Sequence, residues 1–126
     1  ESIKMYRSAC EKFEAALRID PKHSWILYDW TRALLSIALL GSGKCRQAVL
    51  AECEPLLVQV ETQQAQVASY LWACFSAISG DFAACRRHLE NVKATDQLPD
   101  KGCLQQDRLL AGVREQKWFT ELFDPI

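Results

Sequence analysis

The chain has 126 residues, of which 49% are apolar and 25% are charged, as in an ordinary globular chain. This length predicts one domain with a modest core. With 15 basic and 16 acidic residues the net charge is −1, and the absence of any long basic block argues against a nucleic-acid partner. No membrane span is expected, because the longest apolar run, Leu34–Leu40, is far shorter than the roughly 18 residues required.

The cysteines are spread along the chain without a CxxC pair, and the two histidines lack metal-ligand spacing from them. Most fall on apolar faces of predicted helices, where a free thiol packs as a small hydrophobic group. We therefore expect reduced, structural thiols, no metal and no cofactor, in the cytoplasm or another reducing compartment, with a disulfide or zinc site as the alternative. The six are Cys10, Cys45, Cys53, Cys74, Cys85 and Cys103.

Residues 2–19 form the first predicted helix. Ala9, Phe13 and Ala16 lie on one stripe because they are four and three residues apart, and Pro21 cannot continue the helix. Small residues on both sides of a large ring allow a second helix to approach closely. No helix precedes this one to cover the stripe. We therefore expect a fragment of a longer chain, without a visible targeting signal, or a partner surface that can join two copies.

Two further helices are predicted at residues 25–40 and 44–60. The segment Leu34–Leu40 is apolar on almost every side, so it is expected to lie centrally in the fold or against a partner. In the following helix, Pro55 removes a backbone donor, and it predicts a kink or an early end near Cys53.

The next helices are predicted at residues 62–79 and 81–92, and two recurrences relate them to the first half of the chain. A Tyr-x-Trp motif occurs at positions 28–30 and again at 70–72. The stripe of the first helix recurs, two periods later, as Cys85, Leu89 and Val92. Recurrences at about 40 residues indicate a repeated pair of helices.

A loop is predicted from Lys93 to Lys101, followed by closing helices within residues 99–124. A stacked array of helices needs such a segment to cover its last groove. Here a turn of the form Asp-x-x-Leu precedes a short helix with two aromatic anchors. The residues concerned are Asp107, Leu110, Trp118 and Phe119.

The first helix matches the second-helix pattern of the tetratricopeptide (TPR) repeat, Ala-x3-Phe-x2-Ala-x4-Pro, at all four positions. The closing turn is similar to that of TPR arrays. The chain therefore resembles the TPR family over roughly residues 5–123, although the other helices match only partly and other α-helical repeats stay open as alternatives. The resemblance implies an all-α superhelix of about six or seven antiparallel helices in a single domain, 1–126. Its parts would be the second helix of a truncated repeat (1–21), repeats at 24–60 and 62–95, and capping helices at 99–124.

The resemblance also implies a function, because TPR arrays hold a peptide or a partner's helix on the concave face lined by their first helices. A non-enzymatic adaptor or scaffold that binds other proteins is therefore expected. Tyr28 and Tyr70 are expected to stack on adjacent repeats as anchors for the partner, unless they only pack between helices. The matching groove positions are Trp25, Tyr28, Asp29, Arg32, Val67, Tyr70, Leu71 and Cys74.

The sequence bears on three alternatives to this mode of peptide binding. Capture of a C-terminal carboxylate is not expected, because Asp29, Val67 and Leu71 replace the Asn, Lys and Arg that this task requires in TPR domains. Catalysis is not expected either, since phosphate-binding and hydrolase motifs are lacking and the Cys85–His88 pair has no third group to orient it. The remaining alternative is a structural segment that packs on its own neighbours or self-associates.

Overall fold

A computed structural model describes residues 2–20, 24–41, 43–63, 65–94, 104 and 106–122, and every element that these residues form is helical. Five long helices are followed by a 3-10 helix and a short α-helix. They are α1 (Ser2–Ile19), α2 (Ser24–Leu40), α3 (Gly43–Gln63), α4 (Ala65–Ser79), α5 (Phe82–Ala94), η1 (Arg108–Val113) and α6 (Lys117–Glu121). The prediction of an all-α fold is confirmed.

Consecutive long helices pack against each other in the order α1, α2, α3, α4, α5. Because the connections between them are so short, neighbours that pack along their lengths run antiparallel. In addition, α2 packs on α4, and η1 packs on α4 and reaches α2. The helices therefore form pairs in a row, with α2 and α4 side by side in an inner layer that η1 crosses.

The second half of α2 is the centre of the core. All residues from Ala33 to Ala38 are buried, as the apolar run predicts. Two buried hydroxyl groups of α2, one in this stretch and one just before it, each form a hydrogen bond. Thr31 donates to the carbonyl of Leu27 at 2.8 Å, and Ser36 donates to the carbonyl of Arg32 at 3.0 Å. The central position of α2 is thus confirmed.

Helix α3 continues through Pro55, so the predicted early end near Cys53 is wrong. Proline inside a helix costs about 3 kcal/mol in isolation. Here the ring is exposed, while Cys53, Leu57 and Val60 are buried against the neighbouring helices. Tertiary packing of that face outweighs the missing hydrogen bond. The helix extends to Gln63, and α4 consequently begins later than the sequence predicts.

The turn between α4 and α5 lies where Gly80 and Asp81 predict it. Gly80 has a φ of 92°, a conformation that favours glycine, and its N–H and that of Asp81 both donate to the carbonyl of Ser76, at 3.0 and 2.9 Å. The Asp81 carboxylate then accepts from the N–H of Ala84 at 3.1 Å and caps α5.

The turn between α2 and α3 is held by one side chain. The Arg46 guanidinium donates to the carbonyls of Ala38, Leu39 and Gly41 at 2.9, 3.2 and 2.9 Å. The carbonyls of Ala38 and Leu39 belong to the last turn of α2, and that of Gly41 follows it. Carbonyls at the end of a helix lack partners within the helix, and a positive charge is favourable there. The single residue thus ties the start of α3 to the end of α2.

The predicted stripe of α1 packs on α2 with its centre at Cys10, which is buried, while Tyr6, Phe13 and Leu17 are partly buried against the core. The corresponding stripe of α5 is fully packed, since Cys85, Leu89 and Val92 are all buried. Pro21, residues 95–103, residue 105 and residues 123–126 lie outside the described residues. They include most of the predicted loop, Cys103 and both ends of the predicted closing segment.

The closing segment is joined to the inner layer through η1 and to α5 through Lys93. Leu109, Leu110 and Val113 of η1 are buried, and Phe119 of α6 is buried as predicted for an aromatic anchor. Lys93 at the end of α5 donates to the carbonyl of Leu122 at 2.8 Å. None of the helices in the described part of the chain is long and apolar enough to cross a membrane.

Candidate functional site

A cavity of about 460 Å³ lies where α2, α4 and the closing segment meet. Tyr28, Arg32 and Ser36 are each four residues apart and therefore share the face of α2 that borders it. The opposite wall comes from Tyr70 of α4. Three of the eight predicted groove residues, Tyr28, Arg32 and Tyr70, thus meet in one place. The full lining is Tyr28, Arg32, Ser36, Tyr70, Gln106, Asp107, Arg108 and Leu109.

The floor of the cavity is a polar network centred on Asp107. Arg32 donates to both carboxylate oxygens, from Nη2 to Oδ1 at 3.2 Å and from Nη1 to Oδ2 at 3.4 Å. Tyr70 donates its hydroxyl to Oδ2, and the N–H of Leu109 donates to Oδ1 at 3.0 Å. A two-pronged arginine contact fixes geometry as well as charge. The network therefore joins α2, α4 and the start of η1.

The same network changes the acidity of its members. Burial would raise the pKa of Asp107, but the hydrogen bonds from Tyr70 and Arg32 outweigh it and the pKa lies below the usual value. Burial raises the pKa of Tyr70, and the adjacent Asp107 carboxylate adds to this effect. Burial would lower the pKa of Arg32, but Asp107 more than compensates and raises it. Asp107 is therefore ionised and Tyr70 neutral across the physiological pH range.

The aromatic side chains at the mouth of the cavity have partners other than those predicted. Tyr28 packs edge-to-face on Trp25, with ring centroids 5.5 Å apart, and the Arg32 guanidinium lies 5.9 Å from the centroid of the Tyr28 ring. Tyr70 is held through its hydroxyl by Asp107. The two tyrosines share the cavity, but each is positioned by a contact that their spacing in the sequence does not reveal.

Two predicted groove residues need correction. Leu71 and Cys74 are each 0% exposed, so they form part of the core and offer nothing to a partner. The reason is that η1 packs on α4 and covers the side where a free inner groove was expected. Asp29 and Trp25 are exposed on α2, with Trp25 at 56%, and Val67 is partly buried on α4. The accessible surface is therefore Trp25, Tyr28 and Asp29 beside the cavity.

The closing segment contributes half of the lining, through Gln106, Asp107, Arg108 and Leu109. Asp107 is extended and caps η1, whose Leu110 is fully buried, so the turn predicted from the Asp-x-x-Leu pattern is present. Nothing in the pattern shows that this turn lies across the inner layer. The spacing of Tyr28, Arg32 and Ser36 does identify their common face, and it was the available signal for Ser36.

Arg108 projects from the closing segment toward α1. Its Nη2 donates to the hydroxyl of Tyr6 at 2.8 Å, a contact across 102 positions of the sequence. This hydrogen bond lowers the pKa of Tyr6. Arg108, which lines the cavity, thus also links the closing segment to α1.

Among the described residues, His88 and all thiols except that of Cys45 are held in packed positions. Burial raises the pKa of Cys53 and of Cys85 to about 12, so neither supplies a thiolate near neutral pH. The ring of His88 stacks on Trp72 with centroids 6.4 Å apart, and burial lowers its pKa. All cysteines in the described part of the chain are free, and Cys45 is the exposed one. No group of three or more potential metal ligands occurs among the described residues.

A second cavity of about 420 Å³ lies between α1, α2 and α3, with Trp30 and Leu34 among its apolar lining residues. Two charged pairs stand beside it: Arg7 contacts Glu52 at 2.9 Å, and Arg18 contacts Glu14 at 3.1 Å. Exposed pairs of this kind contribute little and leave little uncompensated charge. This cavity therefore offers less for specific recognition than the one beside Asp107.

Comparison with known proteins gives no relative: no protein-family model matches the chain, and neither the curated proteins nor the solved structures contain a significant match.

Proposed function

We propose that this chain is a non-enzymatic binding module that holds a peptide segment of another protein at the cavity between α2, α4 and η1. One observation supports this most directly. An open cavity of about 460 Å³, rich in hydrogen-bonding groups, is lined by the partly buried ring of Tyr28, which packs on the exposed ring of Trp25. Aromatic rings next to a few fixed polar groups are the usual composition of binding hot spots.

Binding is a better proposal than catalysis because the carboxylate of the cavity and the tyrosine beside it, Asp107 and Tyr70, are already occupied. Both oxygens of Asp107 accept hydrogen bonds from the protein, and Tyr70 is committed to that carboxylate. A general acid or base needs a free position and a pKa near the working pH. The network instead has the character of a rigid support that positions the walls of the site.

The TPR assignment is part of this proposal. It is supported by the four matching residues of the first helix, the row of helix pairs and the capped turn at Asp107. In such an array the inner layer holds the ligand. Here the closing segment would take part in the site itself, since it supplies half of the lining. The peptide would lie over the edge of α2 at Trp25 and Tyr28 and extend into the cavity.

The test is a selection of phage-displayed 12-residue peptides on the immobilised full chain, followed by calorimetry with the selected peptides. Tyr28→Ala and Trp25→Ala should each weaken binding about tenfold or more, as expected for aromatic anchors. Phe75→Ala is the matched control, because Phe75 is a partly buried ring that packs on Trp72 rather than at the cavity. Failure to select any peptide, or equal losses in all three variants, would contradict the proposal.

Self-association is the second candidate, and exposed apolar side chains on α1 favour it. Met5 is 73% exposed and Ile19 is 87% exposed, and Ile3 is also exposed. Met5 and Ile19 are fourteen residues apart and so lie on nearly the same side of the helix. Light scattering over a range of concentrations tests it. A dimer that Met5→Glu converts to a monomer supports this candidate, and a monomer at every concentration rejects it.

A further inference from the structure

The charges that line the cavity do not cancel. Asp107 is balanced by Arg32, and its two oxygens receive four hydrogen bonds from Arg32, Tyr70 and Leu109. A carboxylate with two oxygens has about four acceptor positions, so Asp107 has no capacity left for a ligand. Whatever enters the cavity meets a neutral pair on its floor.

Arg108 is the charged lining residue that remains. Its guanidinium has five N–H donors, and the one described contact is the hydrogen bond to the neutral hydroxyl of Tyr6. Within the described ranges it forms no ion pair, since Arg7, Arg18, Arg32 and Arg86 are the cations that do. The cavity therefore presents one uncompensated positive charge with unused donors.

The other groups near the mouth of the cavity determine which ligand groups can bind next to the positive charge of Arg108. Tyr28 supplies apolar surface within the lining, and the exposed ring of Trp25 lies against Tyr28. Asp29 is exposed on the same helix, next to Tyr28, but it is not part of the lining. The positive charge is thus inside the cavity, and a negative charge stands outside it.

We propose that the cavity selects an acidic side chain of the bound peptide, whose carboxylate pairs with Arg108 while a neighbouring apolar residue packs on Tyr28. This inference rests on the peptide-binding function proposed above. An arginine matches the two oxygens of a carboxylate in geometry as well as in charge. The ligand group is a side-chain carboxylate within a segment, not a free chain end.

Phage display suits this distinction, because the displayed peptides are joined to the coat protein at their carboxyl end. Peptides selected on the full chain should be enriched in Asp or Glu next to an apolar residue. The tightest is then synthesised with blocked ends, together with a variant in which the acidic residue is changed to its amide. Affinities of both peptides are measured for the wild-type chain, Arg108→Gln, Asp29→Asn and Arg18→Gln.

The acidic peptide should lose about fivefold in affinity with Arg108→Gln, while the amide peptide should bind both proteins equally. Asp29→Asn should strengthen binding of the acidic peptide, because it removes a like charge at the mouth. Arg18→Gln removes the same charge from the exposed face of α1 and should change nothing measurable. A thermal melt of each variant verifies that the fold is retained.

The outcomes separate the two proposals. If peptides are selected without an acidic preference, or if the acidic and amide peptides respond equally to Arg108→Gln, the inference about Arg108 is wrong and the peptide-binding function stands. If Arg18→Gln and Arg108→Gln weaken binding equally, the preference reflects overall charge and the inference is again wrong. If no peptide is selected at all, both proposals fail.

Discussion

Arg32 of α2 and Asp107 of the closing segment, 75 positions apart in the chain, are joined by two hydrogen bonds of 3.2 and 3.4 Å. The pair also holds the hydroxyl of Tyr70 on α4. It therefore connects the inner layer to the segment that covers it. Because the pair is half-buried, its loss should lower the free energy of unfolding. Removing it is therefore a direct test of the fold.

Asp107→Asn should destabilise the chain by about 2 kcal/mol, because it removes the charge partner of a half-buried arginine. Asparagine is itself a good cap, so the start of η1 is preserved and the charge is the main change. The measurement is urea unfolding followed by circular dichroism. Glu14→Gln is the control, since it breaks an exposed pair with Arg18 and should change the free energy of unfolding by no more than about 0.5 kcal/mol.

The contribution of Asp107 should depend on pH in a defined direction. Its pKa in the folded chain lies below the usual value of 3.8, so the folded state favours the ionised form. The resulting stability is fully present above the pKa of the unfolded chain and is lost as the pH falls through the lower folded pKa. The difference in unfolding free energy between wild type and Asp107→Asn should therefore be constant at neutral pH and shrink below about pH 4. A difference that grows on acidification would contradict this assignment.

Leu71→Ala should cost about 2–5 kcal/mol, because the side chain is fully buried. Val67→Ala, one turn earlier and only partly buried, should cost clearly less. Thermal unfolding of both variants makes the comparison. Similar small effects at the two positions would show that Leu71 lies on an open groove, as the sequence alone had predicted.

The two tyrosines of the cavity should separate into a structural and a binding residue. Tyr70→Phe removes the hydroxyl that Asp107 accepts and should lower the free energy of unfolding by about 1–2 kcal/mol. Tyr28→Phe should leave stability nearly unchanged, because the ring still packs on Trp25. Urea denaturation of the two variants in parallel tests this.

Tyr6 should be the first tyrosine to ionise on raising the pH. The hydrogen bond from Arg108 lowers its pKa, whereas burial raises the pKa values of Tyr28 and Tyr70. Arg108→Gln should move the first phenolate transition to higher pH, and Arg18→Gln should leave it in place. Ultraviolet absorbance of the phenolate measures the transition. A first transition that is insensitive to Arg108→Gln would show that Arg108 does not hold Tyr6 in solution.

Much of the fold could be predicted because local patterns determine it. The stripe of α1, the apolar run of α2 and the turn at Gly80 all depend on neighbours within a few residues, and each was placed correctly. The early end predicted from Pro55 is wrong, because the effect of this proline depends on which side of α3 is packed. Tertiary contacts decide which side that is. The burial that compensates for the missing hydrogen bond is not visible in the sequence around Pro55.

The site was predictable only in part, for a related reason. Spacing on one helix identifies residues with a common face, and it brought Tyr28 and Arg32 together correctly. It carries no information about which distant segment covers that face. The packing of η1 on the inner layer places Asp107 and Arg108 in the lining of the cavity, which the sequence does not predict. Leu71, which the sequence predicts in the groove, is not part of that lining.

The three hydrogen bonds from Arg46 to main-chain carbonyls have a mechanical consequence for the row of helices. Opening the hairpin of α2 and α3 would break all three bonds at once, so this joint resists bending. The two helices therefore act as one lever. A load applied by a ligand near the start of α2 would therefore tilt the whole pair of helices, instead of being absorbed by flexing at the hairpin.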